Sequence, residues 1–404
     1  MTHAHRPRFE VADVIRLFAD AYLAKHRLPT EKRRLMQDIV DCRTAALGGH
    51  VEECDLCDFE RKAYNSCRNR HCPKCQTLSK EKWIEARRRD LLPVSYFHQV
   101  FTMPHDLNPL TLANRKVVID ILFRSVSEIL TAFGKDPAHR LSGQVGFTAV
   151  LHTWNQRLLD HFHLHCVIPA GALREDGTWA RARYDNYLFP VQALSITFRG
   201  KFVAYLRQAF EQNKLTFPGT LRELSHPVPF EMLLDSLARK HWHVYSKPPF
   251  GGPEAVLSYL GRYTHRVAIS NHRLVDVSLE NGVAFKYVDR KDGGKEKIEC
   301  VSGEEFIRRF LLHTIPSGFV RIRHYGFLAS SAKKKKLPAC RAALGARPPP
   351  PTASPRTPEE YLLKLTGIDI LACPHCGKGR MHKTREIRKC APTSFWQAEY
   401  RDSS

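Results

Sequence analysis

Carboxylates are scarce in this chain. Its 404 residues hold 41 Asp plus Glu against 63 Lys plus Arg, a formal net charge of +22. Such a surplus suits a polyanionic partner, because each neutralised phosphate releases counterions. Long apolar runs are also missing. Charged residues interrupt every stretch that approaches the ~18 residues of a membrane span. The polar start MTHAHRPRFE offers no apolar signal region. The expectation is therefore a cytoplasmic protein with no membrane partner. No G-x-x-x-x-G-K-[ST] phosphate loop is present, so nothing points to ATP-driven chemistry. Internal repeats and coiled-coil heptads are absent as well, which sets aside solenoids and long zippers. The content of 43% hydrophobic and 26% charged residues is ordinary and excludes wholesale disorder.

What the chain does have is cysteine, 12 in all. In a reducing compartment these read as metal ligands and buried thiols rather than disulfides. Cys54-x-x-Cys57 and Cys72-x-x-Cys75 lie 14 residues apart, close to the spacing of a closed four-thiolate zinc site. Cys67 and His71, between the pairs, are further candidates. Cys42 reads as a core thiol. A third pair, Cys373 and Cys376, is half a second zinc site, with His382 and Cys390 as candidate partners. Zinc nucleobase deaminases need P-C-x-x-C after H-x-E. Here Pro73 and Pro374 lie inside their cysteine pairs, so that reading fails.

The length suggests two or three domains, at roughly 100–200 residues each. Residues 1–93 read as a helical, zinc-binding, DNA-binding domain. Arg61, Lys62, Arg68, Arg70 and Lys74 decorate it, and it ends in a basic helix over 80–92 with Arg87, Arg88 and Arg89 in a row. Residues 94–330 read as a catalytic domain of class α+β. It holds a strand at SYFHQVFTMP, a helix over 109–133, strands over 145–154 and 161–169, and a helix near 190–213. A strand follows at 240–247, and Pro253-Glu254 opens a helix. VAISNHRLVDVS and VAFKYVDR then form a hairpin across Asn281-Gly282. Residues 331–358, with Lys333 to Lys336 and four prolines, read as a basic linker. Residues 359–404 form a small tail.

Two short segments carry chemistry. In His161-Phe162-His163-Leu164-His165-Cys166-Val167-Ile168 a strand puts Phe162, Leu164, Cys166 and Ile168 on one apolar face. His161, His163 and His165 share the other, where imidazoles in register can grip a divalent cation. In Tyr259-Leu260-Gly261-Arg262-Tyr263-Thr264-His265-Arg266 the two tyrosines sit four apart, on one helix face. Arg262, His265 and Arg266 surround them with phosphate donors. A tyrosine oxygen beside a cation can attack phosphorus and hold a covalent intermediate.

A His-hydrophobic-His strand followed by a Tyr-x-x-x-Tyr helix resembles the two-tyrosine HUH endonucleases. More closely, the chain resembles rolling-circle transposases of the insertion-sequence-ninety-one type. The resemblance rests on SCRNRHCPKCQ at 66–76, HFHLHCVIPAGAL at 161–173 and YLGRYTHRVAISNHRL at 259–274. It implies an antiparallel HUH core flanked by helices behind a zinc module that helps to hold the element's end. His163 and His165 would bind Mg²⁺ or Mn²⁺. Tyr259 or Tyr263 would cut single-stranded DNA, leaving a 5′-phosphotyrosine and a free 3′-OH, and the second tyrosine would cut again. A third catalytic ligand is usual in such enzymes, and His161, His152 and Gln156 are candidates. Phe162 stands where the family often has Pro; pointing to the core, it should be tolerated. The location implied is the bacterial cytoplasm, nucleoid-associated through DNA.

Overall fold

The structure is a computed structural model. It describes residues 7–184, 186–250, 255–256, 259, 261, 265–316, 318–348 and 356–390. The fold is mixed α+β, built from antiparallel sheets and helices. Helices α1 (Val11–Lys25) and α2 (Thr30–Asp41) come first, followed by the hairpin β1 (Gly49–Cys54) and β2 (Glu60–Tyr64). Helix α3 (Gln76–Arg88) leads into β3 (Tyr96–Thr102), α4 (Asn108–Ala113) and α5 (Arg115–Lys135). Strands β4 (Gly146–Trp154), β5 (Asp160–Pro169), β6 (Gly171–Leu173) and β7 (Trp179–Arg181) precede α6 (Val191–Glu211) and α7 (Pro227–Arg239). The remaining strands are β8 (Val244–Phe250), β9 (Leu274–Ser278), β10 (Gly282–Asp289), β11 (Lys295–Val301), β12 (Ile322–Gly326) and β13 (Met381–Ile387).

The site is carried by the five-stranded antiparallel sheet β12-β4-β5-β3-β8. Period-2 alternation decides its two faces. Phe97 and Phe101 from β3, Phe147 and Leu151 from β4, and Phe162, Leu164 and Ile168 from β5 point into the main core. There they meet Leu122 and Val126 of α5, Phe198 and Phe202 of α6, and Phe230 and Leu234 of α7. Burying one such phenylalanine contributes about 1.5–3 kcal/mol. The other face carries His98, His152, His163 and His165, all buried.

Three local outcomes refine the sequence reading. The helix expected over 109–133 splits at Asn114, whose backbone leaves the helical region (φ −127°, ψ 42°). Its amide donates to the carbonyls of Leu110 and Thr216, and its Oδ1 accepts from the Thr216 N–H at 2.7 Å. An Asn side chain that bonds backbone in this way competes with helix continuation. The Asn-Gly hairpin is present, with β9 pairing β10 antiparallel, although VAISNHR does not belong to its first strand. Within the expected linker, the four lysines open a helix, Lys333–Ala343, which buries Leu337 and Cys340 against Leu92 and Phe327. The helix start expected at Pro253-Glu254 lies outside the described residues.

A second core forms where α1, β9, β10 and the helix Gly303–Leu312 meet. Among the described residues, no helix is long and apolar enough to cross a membrane.

Candidate active site and metal centres

Register brings three histidines together. β4 pairs β5 with His152 opposite His163 and Val150 opposite His165, so the three imidazoles share one face. One ring nitrogen from each lies within 4.8 Å of the others. The ring centroids of His152 and His165 are 4.5 Å apart, and those of His163 and His165 are 4.8 Å apart. Burial pushes the His163 and His165 pKa values well down, aided by the neighbouring His152 and by the cation Arg266. They are neutral at pH 7 and keep the lone pairs that a metal needs. The Nδ1 of His163 lies 2.7 Å from the carbonyl oxygen of His161 and donates to it, which fixes the tautomer and leaves Nε2 as the donor atom toward a metal. His161 itself is not part of the trio. Its ring lies between His163, tilted at 46° with centroids 4.6 Å apart, and His105, stacked at 5.5 Å. Of His161, His152 and Gln156, it is His152 that the sheet places beside His163 and His165.

Tyr259 sits on this face. It is helical, as are Ala255, Val256 and Gly261 among the described residues of that segment. The buried Tyr259 ring packs with Val256, Tyr96 and Val167, beside Trp83 of α3. Its hydroxyl lies 2.6 Å from His98 Nε2 and 3.3 Å from His165 Nδ1. His98 Nε2 and His165 Nδ1 are 2.9 Å apart, closing a triangle. Burial, with help from Lys247, pushes the His98 pKa down to about 3, so this ring too is neutral. The sequence reading missed His98. The signal was available, since alternation in β3 puts Tyr96, His98 and Val100 on the face that β5 gives to His163 and His165. Tyr263 and Arg262 lie outside the described residues.

The tyrosine helix rests on α3. A Cβ built at Gly261 would come within 2.4 Å of Ile84 Cδ1, so a larger residue there would push the Ile84 side chain aside. Cys75 stands just before the first residue of α3, and the same helix therefore links a cysteine cluster to the tyrosine.

The cysteines form two clusters, and neither is the one expected. Cys54 and Cys57 do not join Cys72 and Cys75. One cluster is Cys42, Cys67, Cys72 and Cys75; the other is Cys54, Cys57, Cys373 and Cys376, each with its sulfurs within 4.8 Å of one another. The reason is geometric. Cys54 and Cys57 ride at the tip of the β1–β2 hairpin, whereas Cys42 and Cys67 flank its base, where Arg43 N–H donates to the Asn65 carbonyl. At about 3.3 Å of rise per residue the hairpin keeps tip and base far apart. Cys42 is thus a cluster member rather than a core filler: its Sγ is 3.4 Å from that of Cys75, and Cys67 Sγ is 3.5 Å from Cys75 Sγ. Hydrogen bonds from Cys42 and the other thiols hold Cys75 well below the usual thiol range. His71 takes no part. Its Nε2 accepts from the Ile315 N–H at 3.3 Å, and burial pushes its pKa down to about 3. His382 faces the Asp55 carboxylate at 3.5 Å, and Cys390 is exposed, so neither completes the second cluster.

The expected DNA contacts are spread around these centres. Arg68 and Arg88 are exposed. Arg70 donates to the Phe319 carbonyl at 2.9 Å, and Arg87 pairs with Asp90 at 3.1 Å. The Arg89 carbonyl accepts from Arg341. Arg266 is close enough to the histidines to depress their pKa values.

A family model described as Transposase zinc-binding domain matches residues 14–103, and one described as Putative transposase matches residues 146–336. The chain is 48% identical over 376 residues to Putative transposase y4qJ of Sinorhizobium fredii (strain NBRC 101917 / NGR234), covering 92% of this chain and 94% of that protein. It is 30% identical over 353 residues to the Transposase for insertion sequence element IS801 of Pseudomonas savastanoi pv. phaseolicola, covering 86% and 82%. No solved structure matches. The matched zinc-binding domain and the two cysteine clusters support structural Zn²⁺. The substrate that family membership implies is DNA. With a zinc-binding domain ahead of a transposase domain, and a relative of nearly full length sharing almost half its residues, the chain belongs to the IS91-type transposases.

Proposed function

We propose that this transposase opens single-stranded DNA with Tyr259, keeps the 5′ end as a phosphotyrosine and passes the strand to a target. The observation that carries the reading is the Tyr259 hydroxyl, held against His98 and His165 at the edge of a three-histidine cluster. His98 Nε2, 2.6 Å away, takes the phenolic proton. The phenolic oxygen bonds to phosphorus, and the P–O3′ bond breaks. The 3′ oxygen takes up a proton and leaves as a free hydroxyl. Attack by a 3′-OH on the phosphotyrosine reverses these bonds and joins strands. The bond energy stays in the adduct, in keeping with a chain that lacks a nucleotide-binding loop.

His152, His163 and His165 suit a divalent cation, since they are buried, neutral and convergent. Such an ion, when bound, polarises the phosphate as a Lewis acid. Mg²⁺ and Mn²⁺ are the ions proposed, and an all-imidazole set favours Mn²⁺, because Mg²⁺ prefers oxygen. Arg266, with Arg262 from the same segment, supplies charge for the DNA backbone. Tyr263 makes the second cut. The Cys42/Cys67/Cys72/Cys75 cluster is a closed structural zinc site that fixes α3, and α3 in turn supports the tyrosine helix.

The test uses labelled single-stranded DNA from the element's own ends, Mn²⁺ and a denaturing gel. A protein-sized labelled band should appear. It should vanish with EDTA and in the Tyr259→Phe/Tyr263→Phe double variant. Tight DNA binding with no such band would instead make this a zinc-dependent binding protein without catalysis.

A further inference from the structure

We infer that Cys373 and Cys376, near the C-terminal end, complete a second tetrathiolate zinc site with Cys54 and Cys57, so that one metal ion ties the two ends of the chain together. The C-terminal pair lies far outside the matched zinc-binding domain, which ends at residue 103. Cys54 Sγ is 3.8 Å from Cys376 Sγ, and Cys57 Sγ is 3.6 Å from Cys373 Sγ.

The two halves are built alike. In each, the residue after the second cysteine has a left-handed backbone: Asp58 at φ 53° and Gly377 at φ 68°. In each, the first cysteine's N–H closes the loop on a later carbonyl, Cys54 to Phe59 at 3.0 Å and Cys373 to Gly379 at 2.8 Å. In each, a backbone N–H points at a sulfur, Leu56 to Cys54 at 3.4 Å and Gly379 to Cys376 at 3.2 Å. Such bonds favour thiolates, the form that a metal binds. Two facing knuckles of this kind supply the closed, four-sulfur set of a structural zinc site.

The surroundings are matched as well. Residues 49–64 hold five carboxylates (Glu52, Glu53, Asp55, Asp58, Glu60) and two cations (Arg61, Lys62). Residues 371–390 hold six cations (Lys378, Arg380, Lys383, Arg385, Arg388, Lys389) and one carboxylate (Glu386). Strand β13 pairs β1 along six residues, and Arg385 reaches Glu60 at 2.9 Å. The Phe59 and His375 rings stack at 5.7 Å. Gly379 makes the closure possible, for a Cβ there would lie 2.3 Å from Cys54 Sγ.

The experiment loads the full-length protein with Co²⁺ and reads the thiolate-to-cobalt charge-transfer band alongside total zinc. An ion at the histidine cluster adds nothing to that band. Wild type should bind about two thiolate-held ions per chain, and the Cys373→Ser/Cys376→Ser variant about one, with the band halved. Gly379→Ala keeps all eight sulfurs and should lose the second ion at chelator concentrations that leave the first in place. A wild-type chain with one thiolate-held ion, or a Gly379→Ala chain that holds both as tightly as wild type, would overturn the proposal. A sequence-specific protease site inserted after Arg347 adds a second readout. The cut chain should stay joined on gel filtration, and the same chain carrying Cys373→Ser/Cys376→Ser should separate. Separation of both, or of neither, counts against a zinc tie.

Discussion

The histidine face and the cysteine clusters are assembled in opposite ways. Strand register builds the first: His152, His163 and His165 come from two neighbouring antiparallel strands, and His98 comes from a third. Loops and element ends build the second: Cys42, Cys67, Cys72 and Cys75 gather around the base of one hairpin, and Cys54 meets Cys376 across more than three hundred residues of sequence. A face set by register holds its groups without metal, because the sheet and its phenylalanine core already fix the backbone. A thiol cluster leans more on its ligand, because its sulfurs come from turns and the ends of elements rather than from one sheet face. The sheet site should therefore fail through its chemistry, and the thiol sites through their folding.

The largest expected effect breaks the thiol side. Cys72→Ser should release the metal of the Cys42/Cys67/Cys72/Cys75 site, where zinc contributes on the order of 10–16 kcal/mol of apparent binding energy. Hydrogen exchange should then rise across α2 and α3, while the β4–β5 amides stay protected. Uniform loss of protection would mean that the two regions are not separable. Next is Phe162→Ala, which cuts the core beneath the histidines. It should cost about 3–5 kcal/mol of stability by denaturant titration. A cost near zero would show that the apolar face does not hold the site.

His98→Ala removes the group that takes the phenolic proton while leaving the three-histidine set intact. Adduct formation should fall roughly 10–100-fold, with Mn²⁺ affinity little changed. Equal loss of metal affinity would make His98 a ligand instead. Gly261→Val tests the bridge between the regions. It should slow adduct formation without altering zinc content, and Ile84→Ala should restore part of the rate. Absence of rescue would show that the α3 contact does not position Tyr259.

The smallest effect concerns acid. Hydrogen bonding from Arg308 holds the Glu305 carboxyl down at about 2, below its usual range. A depressed folded-state pKa stabilises above the unfolded value, near 4.3, and that contribution is lost as pH falls toward about 2. Glu305→Gln should flatten the stability profile in that window only. An unchanged profile would show that the Arg308 and Arg309 contacts contribute nothing.

The same contrast explains what the sequence discloses. Alternation in HFHLHCVIP reveals the strand, its core face and its imidazole face, because a period of two survives any tertiary setting. It cannot tell which further histidine joins His163 and His165. His161 shares the face, but only the β4 register puts His152 opposite His163. His98 is legible once β3 is known to neighbour β5, a pairing that no local pattern states. The C-x-x-C pairs announce zinc, yet their nearness in sequence misleads. The β1–β2 hairpin separates Cys57 from Cys72, and their partners are Cys42, which looks like a core thiol, and a tail that returns past a run of prolines. Likewise Lys333 to Lys336 look like linker, because the apolar anchors Leu337 and Cys340 matter only once Phe327 and Leu92 are in place.

The most direct test of the central claim is to digest the DNA adduct and map its attachment point by mass spectrometry. The account predicts a nucleotide linked through its 5′-phosphate to Tyr259 or to Tyr263, with the adduct at Tyr263 persisting in Tyr259→Phe. A nucleotide on any other residue, or one linked through its 3′-phosphate, would contradict it.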